Sequence, residues 1–395
     1  MKKYFFRLLF IACWIIQSGC AVKKVNQSIP ALQTEAQNLL RNQVMEEADW
    51  AMNQQPVTIT SEFSPKSAGG KHDFFSQADY FWPDPKNPNG PYINKDGLTN
   101  PDNFLAHRKA MIRFSKIMGA LASAYTLTGD TKYVKQAVIH LKAWFIDPMT
   151  LMNPNLQYAQ AVIGVYTGRS YGIIDTIHLM EVAQAVIVME KSGVLDKETL
   201  ASVQQWFHNY IFWLNTSKPG LDEKNAKNNH SVCWAMQVAS FAKLCNDNAM
   251  LDTCRLLYQT VFLPRQMGND GSFPQELART KPYGYSIFNL DAMVMLCQIL
   301  STPKSNLWEF ETADGKSIKK GIQYLYPFVA DKTKWTLKPD VMYWNEWPVA
   351  QPFLFFGANT WQDMNWFATW KKLDHQPQVE EVIRNLPIRH PLIWL

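Results

Sequence analysis

Three polar clusters, each lying where a loop meets an apolar run, hold the residues of this sequence best suited to chemistry. Lys224-Asn225-Ala226-Lys227-Asn228-Asn229-His230-Ser231 runs directly into the apolar stretch Val232 to Leu244. Asp270 to Arg279 ends in Glu276-Leu277-Ala278-Arg279, and Pro282-Tyr283-Gly284-Tyr285-Ser286 then opens another apolar run. Taken alone, Asn-Asn-His at a helix start is ordinary capping, because Asn is a favoured N-cap and a neighbouring His can hydrogen-bond locally. Taken together, an amide, an imidazole, a guanidinium and a phenol suit β-elimination across a 4-linked uronic acid. The C5 proton of that sugar is weakly acidic until the adjacent carboxylate is neutralised. Amide and guanidinium hydrogen bonds do this as charge moves onto the carboxylate. A base must then take the C5 proton and an acid must protonate the departing O4. A Tyr close to Arg and His⁺ is expected to have a lowered pKa and to serve either role.

Helical periodicity supplies the elements that would position these groups. Phe104 to Leu127 places Met111, Phe114, Ile117, Met118, Leu121 and Tyr125 at spacings of three and four. Gly129 suits a left-handed cap for that helix, and Asp130 an N-cap for the next, Tyr133 to Phe145. Similar patterns occupy 171–192, 199–214, 231–245, 248–263, 286–301 and 316–329, while strand-like alternation is rare. The expected class is all-α, an α/α toroid built as an incomplete barrel of helical hairpins, forming one large domain over 31–395. Three long loops interrupt it. Asp79 to Pro101 contains Tyr80, Trp82 and Tyr92 among five prolines that exclude a helix. Asn153 to Tyr171 carries Tyr158, Gln160 and Arg169, and Val341 to Gly357 carries Trp344 and Trp347. Ordered aromatic loops of this kind are expected to rim a ligand cleft.

The three motifs Asn228-Asn229-His230-Ser231, Glu276-Leu277-Ala278-Arg279 and Tyr285 resemble the alginate lyase superfamily of polysaccharide lyases. Tyr80-Phe81-Trp82-Pro83-Asp84-Pro85 followed by Gly90-Pro91-Tyr92 resembles the N-terminal part of those domains. The likeness spans residues 75–300 and points to the bacterial α/α-toroid branch acting on alginate and glucuronan. It implies that Asn229 and Arg279 neutralise the carboxylate, that His230 is the base or its partner, and that Tyr285 is the acid, or acid and base together. Tyr283 competes for that last role, and otherwise stacks or packs. The remaining candidate sugar contacts are Tyr80, Trp82, Tyr92, Tyr158, Gln160, Arg169, Asn228, Glu276, Tyr283 and Trp344. In mannuronate and glucuronate the C5 proton and O4 share a side, so one Tyr can serve both ends. In guluronate they are opposed, which gives His230 the base role. The sequence has no DxDxDG or HExxH motif, and this reading calls for no cofactor and no metal. Two other readings compete. A toroid hydrolase would need an opposed carboxylate pair from Asp79, Asp84, Glu276 or Glu346, and a non-catalytic glycan-binding lipoprotein would need only the aromatics.

Composition agrees with a sugar as the partner, and the resemblance implies that it is an anionic polysaccharide. Of 395 residues, 18% are charged and 15 are Trp, an aromatic excess that fits sugar stacking. The formal charge of +5 includes Lys2, Lys3 and Arg7, which leaves 36 basic against 34 acidic residues in the remainder. No nucleic-acid footprint is supported by that balance. Residues 1–19 read as a secretory signal, with a basic start and a short apolar core at Leu8 to Ile16. Ser18-Gly19-Cys20 resembles a lipoprotein cleavage site with Cys20 as the lipid anchor, followed by a linker over 20–30. A periplasmic or outer-membrane-anchored enzyme is expected, touching membrane only through that anchor. Cys233, Cys245, Cys254 and Cys297 lack metal spacing and are expected to be buried helical thiols.

Overall fold

The computed structural model describes Met1 and residues 31–395, so the signal segment beyond Met1, Cys20 and the 20–30 linker lie outside the described residues. The first helix, α1 (Ala31–Met52), buries Leu32, Ala36, Leu40, Val44, Ala48 and Ala51, a stripe at helical spacing that the sequence reading leaves unused. Three short strands follow: β1 (Phe75–Gln77), β2 (Phe81–Trp82) and β3 (Ile93–Asn94). Next come α2 (Ala106–Thr128) and α3 (Lys132–Phe145). Between them Gly129 sits at φ 71° and donates its N–H to Tyr125 O at 2.7 Å, the left-handed cap expected there. The N-cap position of α3 falls on Thr131, one residue later than expected, while Asp130 accepts the Lys132 N–H at 2.9 Å.

β4 (Tyr158–Ala161) pairs in parallel with β1, and β2 pairs with β3 in antiparallel fashion. The helix expected over 171–192 is split into a 3₁₀ segment, Ser170–Thr176, and α4 (Leu179–Glu190). Asp175 and Thr176 in that segment are drawn into buried hydrogen bonds with Ser76 (2.5 Å) and Gln237 (2.8 Å), which hold it to neighbouring elements. The chain continues through α5 (Lys197–Thr216), α6 (Lys218–Lys224), α7 (Asn229–Leu244) and α8 (Asn248–Leu257). A π turn at Tyr258–Phe262 leads into α9 (Leu263–Gln266), then α10 (Pro274–Leu277), α11 (Pro282–Leu300) and α12 (Ile318–Ala330). The last helices are α13 (Pro352–Trp361), α14 (Met364–Lys372) and α15 (Glu380–Arg384). Six of the ten residues of α13 fall in the segment expected to be a loop. Its start is capped from a distance, because buried Asp291 accepts the Phe353 N–H at 2.9 Å.

Helices α2, α4, α7, α11 and α13 each pack on the next, and α1 packs on both α2 and α13, so the ring's two ends meet across it. The inner helices are covered on both sides, which is why they read as apolar all round; α11 buries 17 of its 19 residues. Outer helices are amphipathic instead, as in α12, where Ile318, Gly321, Ile322, Leu325 and Val329 face inward. The result is the α/α toroid expected. Cys233, Cys254 and Cys297 are buried helical thiols as expected, whereas Cys245 is half-buried just past the end of α7; all four are free, and burial pushes Cys254 and Cys297 up to about 12.

The C-terminal tail is stapled to this ring by a buried triad. His390 Nδ1 lies 3.0 Å from Glu181 Oε1 and its Nε2 lies 3.3 Å from Glu47 Oε2. The Arg389 and His390 backbone N–H groups also donate to Glu181 Oε1, at 2.7 and 2.6 Å. The imidazole rests on α2 at Gly119, where a Cβ would stand 2.2 Å from Nδ1. Burial disfavours all three charges, but their mutual pairing wins: His390 is held up at about 9, and both carboxylates down at about 2. The raised imidazole stabilises the fold fully below its unfolded pKa of about 6.5, and that contribution is lost as pH rises through about 9. The lowered carboxylates contribute above about 4.5, and lose their contribution as pH falls through about 2. The linkage amounts to a few kcal/mol. Thermal unfolding followed by circular dichroism should therefore show the wild type losing stability between pH 7 and 9.5, with His390→Gln losing much less over that range. Equal alkaline slopes would remove the triad from the account.

Candidate active site

A cavity of about 440 Å³ opens where the starts of α7 and α11 meet the loops around β1–β4, and Asn228, Asn229, His230, Arg279 and Tyr285 all line it. Asn229 is the first residue of α7, a position where a backbone N–H lacks a helical partner. The preceding Asn228 provides no side-chain cap. Glu276 reaches across from α10 instead, accepting the Asn229 N–H at 2.8 Å and its Nδ2–H at 2.7 Å. Glu276 is fully buried with both oxygens in use, so it braces Asn229 and is not the sugar contact expected from sequence. Burial raises its pKa despite those two bonds and the nearby cations.

His230 projects from the same turn. Its Nδ1 lies 2.5 Å from Oε1 of Glu223, a buried carboxylate on α6. A carboxylate only accepts, so in the neutral ring Nδ1 carries the hydrogen and Nε2 keeps its lone pair. Tyr171 meets the imidazole edge-on at 4.8 Å, fixing its tilt. Glu223 carried no motif in the sequence; its spacing of seven from His230 crosses a helix break.

Arg279 donates through Nη2 to Asp96 Oδ1 at 2.8 Å, and Thr280 Oγ1 donates to Asp96 Oδ2 at 2.9 Å. Burial opposes the guanidinium charge, and the bond to Asp96 outweighs it, pushing the Arg279 pKa above its usual value. The guanidinium lies 4.8 Å over the ring of Tyr285. The Tyr285 hydroxyl donates to that of Tyr80 at 2.9 Å. Burial raises the Tyr285 pKa well above the ordinary phenol value, and the Tyr80 bond and Arg279 only partly offset this. The lowered phenol expected from sequence is thus corrected: Tyr285 stands as a neutral hydroxyl.

The loop residues divide. Tyr80, Gln160 and Arg169 line the cavity. Gln160 is held at φ 46° in the left-handed region, with Ser76 Oγ accepting its N–H at 2.8 Å and Arg169 Nε donating to its carbonyl at 3.1 Å. Trp82, Tyr92 and Tyr158 lie outside the cavity lining; the Trp82 indole donates to Leu98 O at 2.9 Å and supports Lys95 at 4.8 Å. Tyr283 is fully buried, its hydroxyl bonded to Phe328 O at 3.1 Å and its ring packed on Trp335 and Trp344. Neither Tyr283 nor Trp344 lines the cavity, and Trp347 is buried as well. An indole sheds water equally well in a core or against a sugar, so residue type alone could not separate the two. At the cavity wall Asp79 and Arg384 belong to a charge network that sequence reasoning missed as a network. Asp79 binds Arg108 at 2.7 Å and Arg384 at 3.3 Å, while Glu381 binds Arg384 and Lys281, each at 2.8 Å.

A family model for alginate lyase matches residues 58–335. The chain belongs to the alginate lyase family. It is a polysaccharide lyase, and its partner is an anionic polysaccharide. A crystal structure of an alginate lyase from Bacteroides ovatus superposes with a TM-score of 0.79 at 28% identity, covering 92% of this chain and 97% of that one. Alginate lyase A1-III from Sphingomonas species A1 shares the fold at 15% identity, with a TM-score of 0.53 over 82% of this chain and 89% of that one. A variant of A1-III complexed with tetrasaccharide gives a TM-score of 0.56 at 15% identity, covering 85% and 95% of the two chains. A sequence search of curated proteins finds no match.

Because Glu276 is the acceptor for both Asn229 N–H groups, Glu276→Ala should destabilise the fold by at least about 1–3 kcal/mol through unsatisfied buried donors. Glu276→Gln, which keeps one acceptor, should recover part of that loss. Urea unfolding measures both, and an unchanged midpoint in Glu276→Ala would show that the brace carries no stability.

Proposed function

We propose that this lyase cleaves 4-linked uronic acid polymers, alginate and especially its mannuronate blocks or glucuronan, by β-elimination. The observation that carries the reading is the convergence of Asn229, His230, Arg279 and Tyr285 on one cavity. The second Nδ2 hydrogen of Asn229 and the Nη1 of Arg279 have no hydrogen-bond partner among the described residues, so both remain for a substrate carboxylate. Their hydrogen bonds strengthen as the C5 carbanion delocalises into that carboxylate, which is where stabilisation lowers the barrier. Tyr285, held as a phenol, is the acid that protonates O4. On guluronate His230 Nε2 takes the C5 proton from the opposite side, with Glu223 fixing the tautomer and steadying the imidazolium. On mannuronate and glucuronate Tyr285 itself takes the C5 proton once ionised, and returns it to O4. A hydrolase reading is disfavoured by its four candidate carboxylates, because Asp79 is tied to Arg108 and Arg384, Glu276 is tied to Asn229, and Asp84 and Glu346 lie outside the cavity lining. For the sequence's N-terminus we propose export and anchoring at Cys20.

Incubating the mature enzyme with poly-mannuronate, poly-guluronate and glucuronan, and following ultraviolet absorbance of the new C4–C5 double bond, tests the reaction. Reducing ends without that absorbance would mean hydrolysis. Tyr285→Phe should abolish turnover while leaving oligosaccharide binding largely intact. Glu223→Gln should lower kcat on poly-guluronate by about 10²–10⁴-fold, through loss of the correct imidazole tautomer. The raised Tyr285 pKa gives a pH test as well. Turnover of poly-mannuronate, which needs the phenolate, should keep climbing into alkaline pH beyond the point where turnover of poly-guluronate levels off. Coincident profiles would contradict the two-route mechanism.

A further inference from the structure

Tyr80 was expected to stack on a sugar, but its hydroxyl is engaged at the back of the cavity. It accepts from Tyr285 at 2.9 Å, approaches Glu381 Oε1 at 3.4 Å, and takes Lys281 Nζ at 3.4 Å. Lys281 is buried, is bound to Glu381 at 2.8 Å, and lies 4.9 Å over the Tyr80 ring. Resting on the assignment of Tyr285 as the reacting phenol, we propose that Tyr80 and Lys281 form a hydrogen-bond chain that stabilises the Tyr285 phenolate and so sets when Tyr285 gives up its proton.

The chain works by reversing direction. With Tyr285 neutral, its O–H donates to Tyr80, and the Tyr80 O–H is left for Glu381. When the Tyr285 O–H bond breaks and its proton forms the new O–H bond on O4, the phenolate becomes an acceptor. The Tyr80 hydroxyl then turns from Glu381 to donate to it, and Lys281 Nζ donates to the Tyr80 oxygen. No proton leaves Lys281 or Tyr80. The Tyr285 proton is restored from water on the guluronate route, and by the C5 proton on the mannuronate route. A hydrogen bond to a charged oxygen in a buried site is worth more than one to a neutral hydroxyl, so the chain favours the ionised state selectively.

The surroundings leave this task to Lys281. Arg279 lies 4.8 Å over the Tyr285 ring and its charge also favours the phenolate, but its side-chain hydrogen bonds go to Asp96 and not to either hydroxyl. Arg384 on α15 faces Lys281 across Glu381, but its contacts are with Glu381 and Asp79. Asp79 beside Tyr80, Asp96 in the β3–α2 loop and Asp340 before α13 also feel the Lys281 charge. Asp79 is neutralised by Arg108, Asp96 by Arg279, and Asp340 accepts the Tyr283 and Gly284 N–H groups at 2.9 Å each. Lys281 is the cation with a hydrogen bond to the phenol pair.

The test is steady-state kinetics of Tyr80→Phe and Lys281→Met against pH on a uronate polymer that the wild type cleaves, with thermal midpoints measured in parallel. Expected is a fall in kcat of about 10- to 100-fold with KM changed less than about threefold. The limb of the kcat profile that reports Tyr285 should also move to higher pH, since removing the chain raises the Tyr285 pKa. Tyr80→Phe keeps the ring and every charge, so it decides the matter if Lys281→Met fails to fold. Wild-type kcat and pH limb in Tyr80→Phe, while Tyr285→Phe is inactive, would overturn the chain. So would a rise in KM alone, which would make Tyr80 a sugar contact, or a lowered thermal midpoint with the pH limb unmoved. Full turnover by Tyr285→Phe would instead overturn the mechanism on which the chain rests.

Discussion

A carboxylate buried with both oxygens committed to one residue is the constraint from which the candidate active site follows. Glu276 holds the backbone and side-chain N–H groups of Asn229, and so ties the short helix α10 to the first turn of α7. Those two elements come from neighbouring hairpins of the ring. Once they are joined, Arg279 and Tyr285, three and nine residues beyond Glu276, are delivered to the cavity that His230 also lines. Asp96 and Glu223 then fix the guanidinium and the imidazole, each by one short polar contact. The proposed active site therefore rests on three carboxylates, and each of them orients a partner.

Charge explains how a nearly neutral chain can recognise a polyanion. Beyond the N-terminal segment the sequence carries 36 basic and 34 acidic residues, so long-range attraction is weak. Several of the arginines nearest the cavity are spent on structure: Arg108 and Arg384 neutralise Asp79 in its wall. Arg169 is held by Gln160, and its guanidinium lies between the rings of Phe81 and Tyr171, at 4.9 and 5.0 Å. Recognition then depends on placed donors at the cavity wall, where low dielectric makes each of them count.

The ring was legible because its outer helices carry the 3.6-residue period and its inner ones are long apolar runs, and the stops between them are written in residues such as Gly129. The four side chains proposed to react were legible because they cluster at loop–helix junctions. What the sequence hid depends on distance along the chain. The start of α13 is capped by Asp291, 62 residues away, and no local signal marks it. Glu381 and Arg384 join Tyr80 and Lys281 only after the C-terminal segment folds back to the cavity wall. The aromatic excess was legible as an amount but not as a location. Tyr80 reached the cavity, whereas Trp347 and Tyr283 went to the core and Trp344 packed behind them.

The most direct measurement is a crystal structure of Tyr285→Phe with a uronate tetrasaccharide chosen from the polymers that the wild type cleaves. The account places one carboxylate in the cavity within hydrogen-bonding distance of Asn229 Nδ2 and Arg279, with O4 of that residue facing the vacated hydroxyl position. A sugar bound in the cavity with its carboxylate turned away from both donors, or bound elsewhere on the ring, would contradict it.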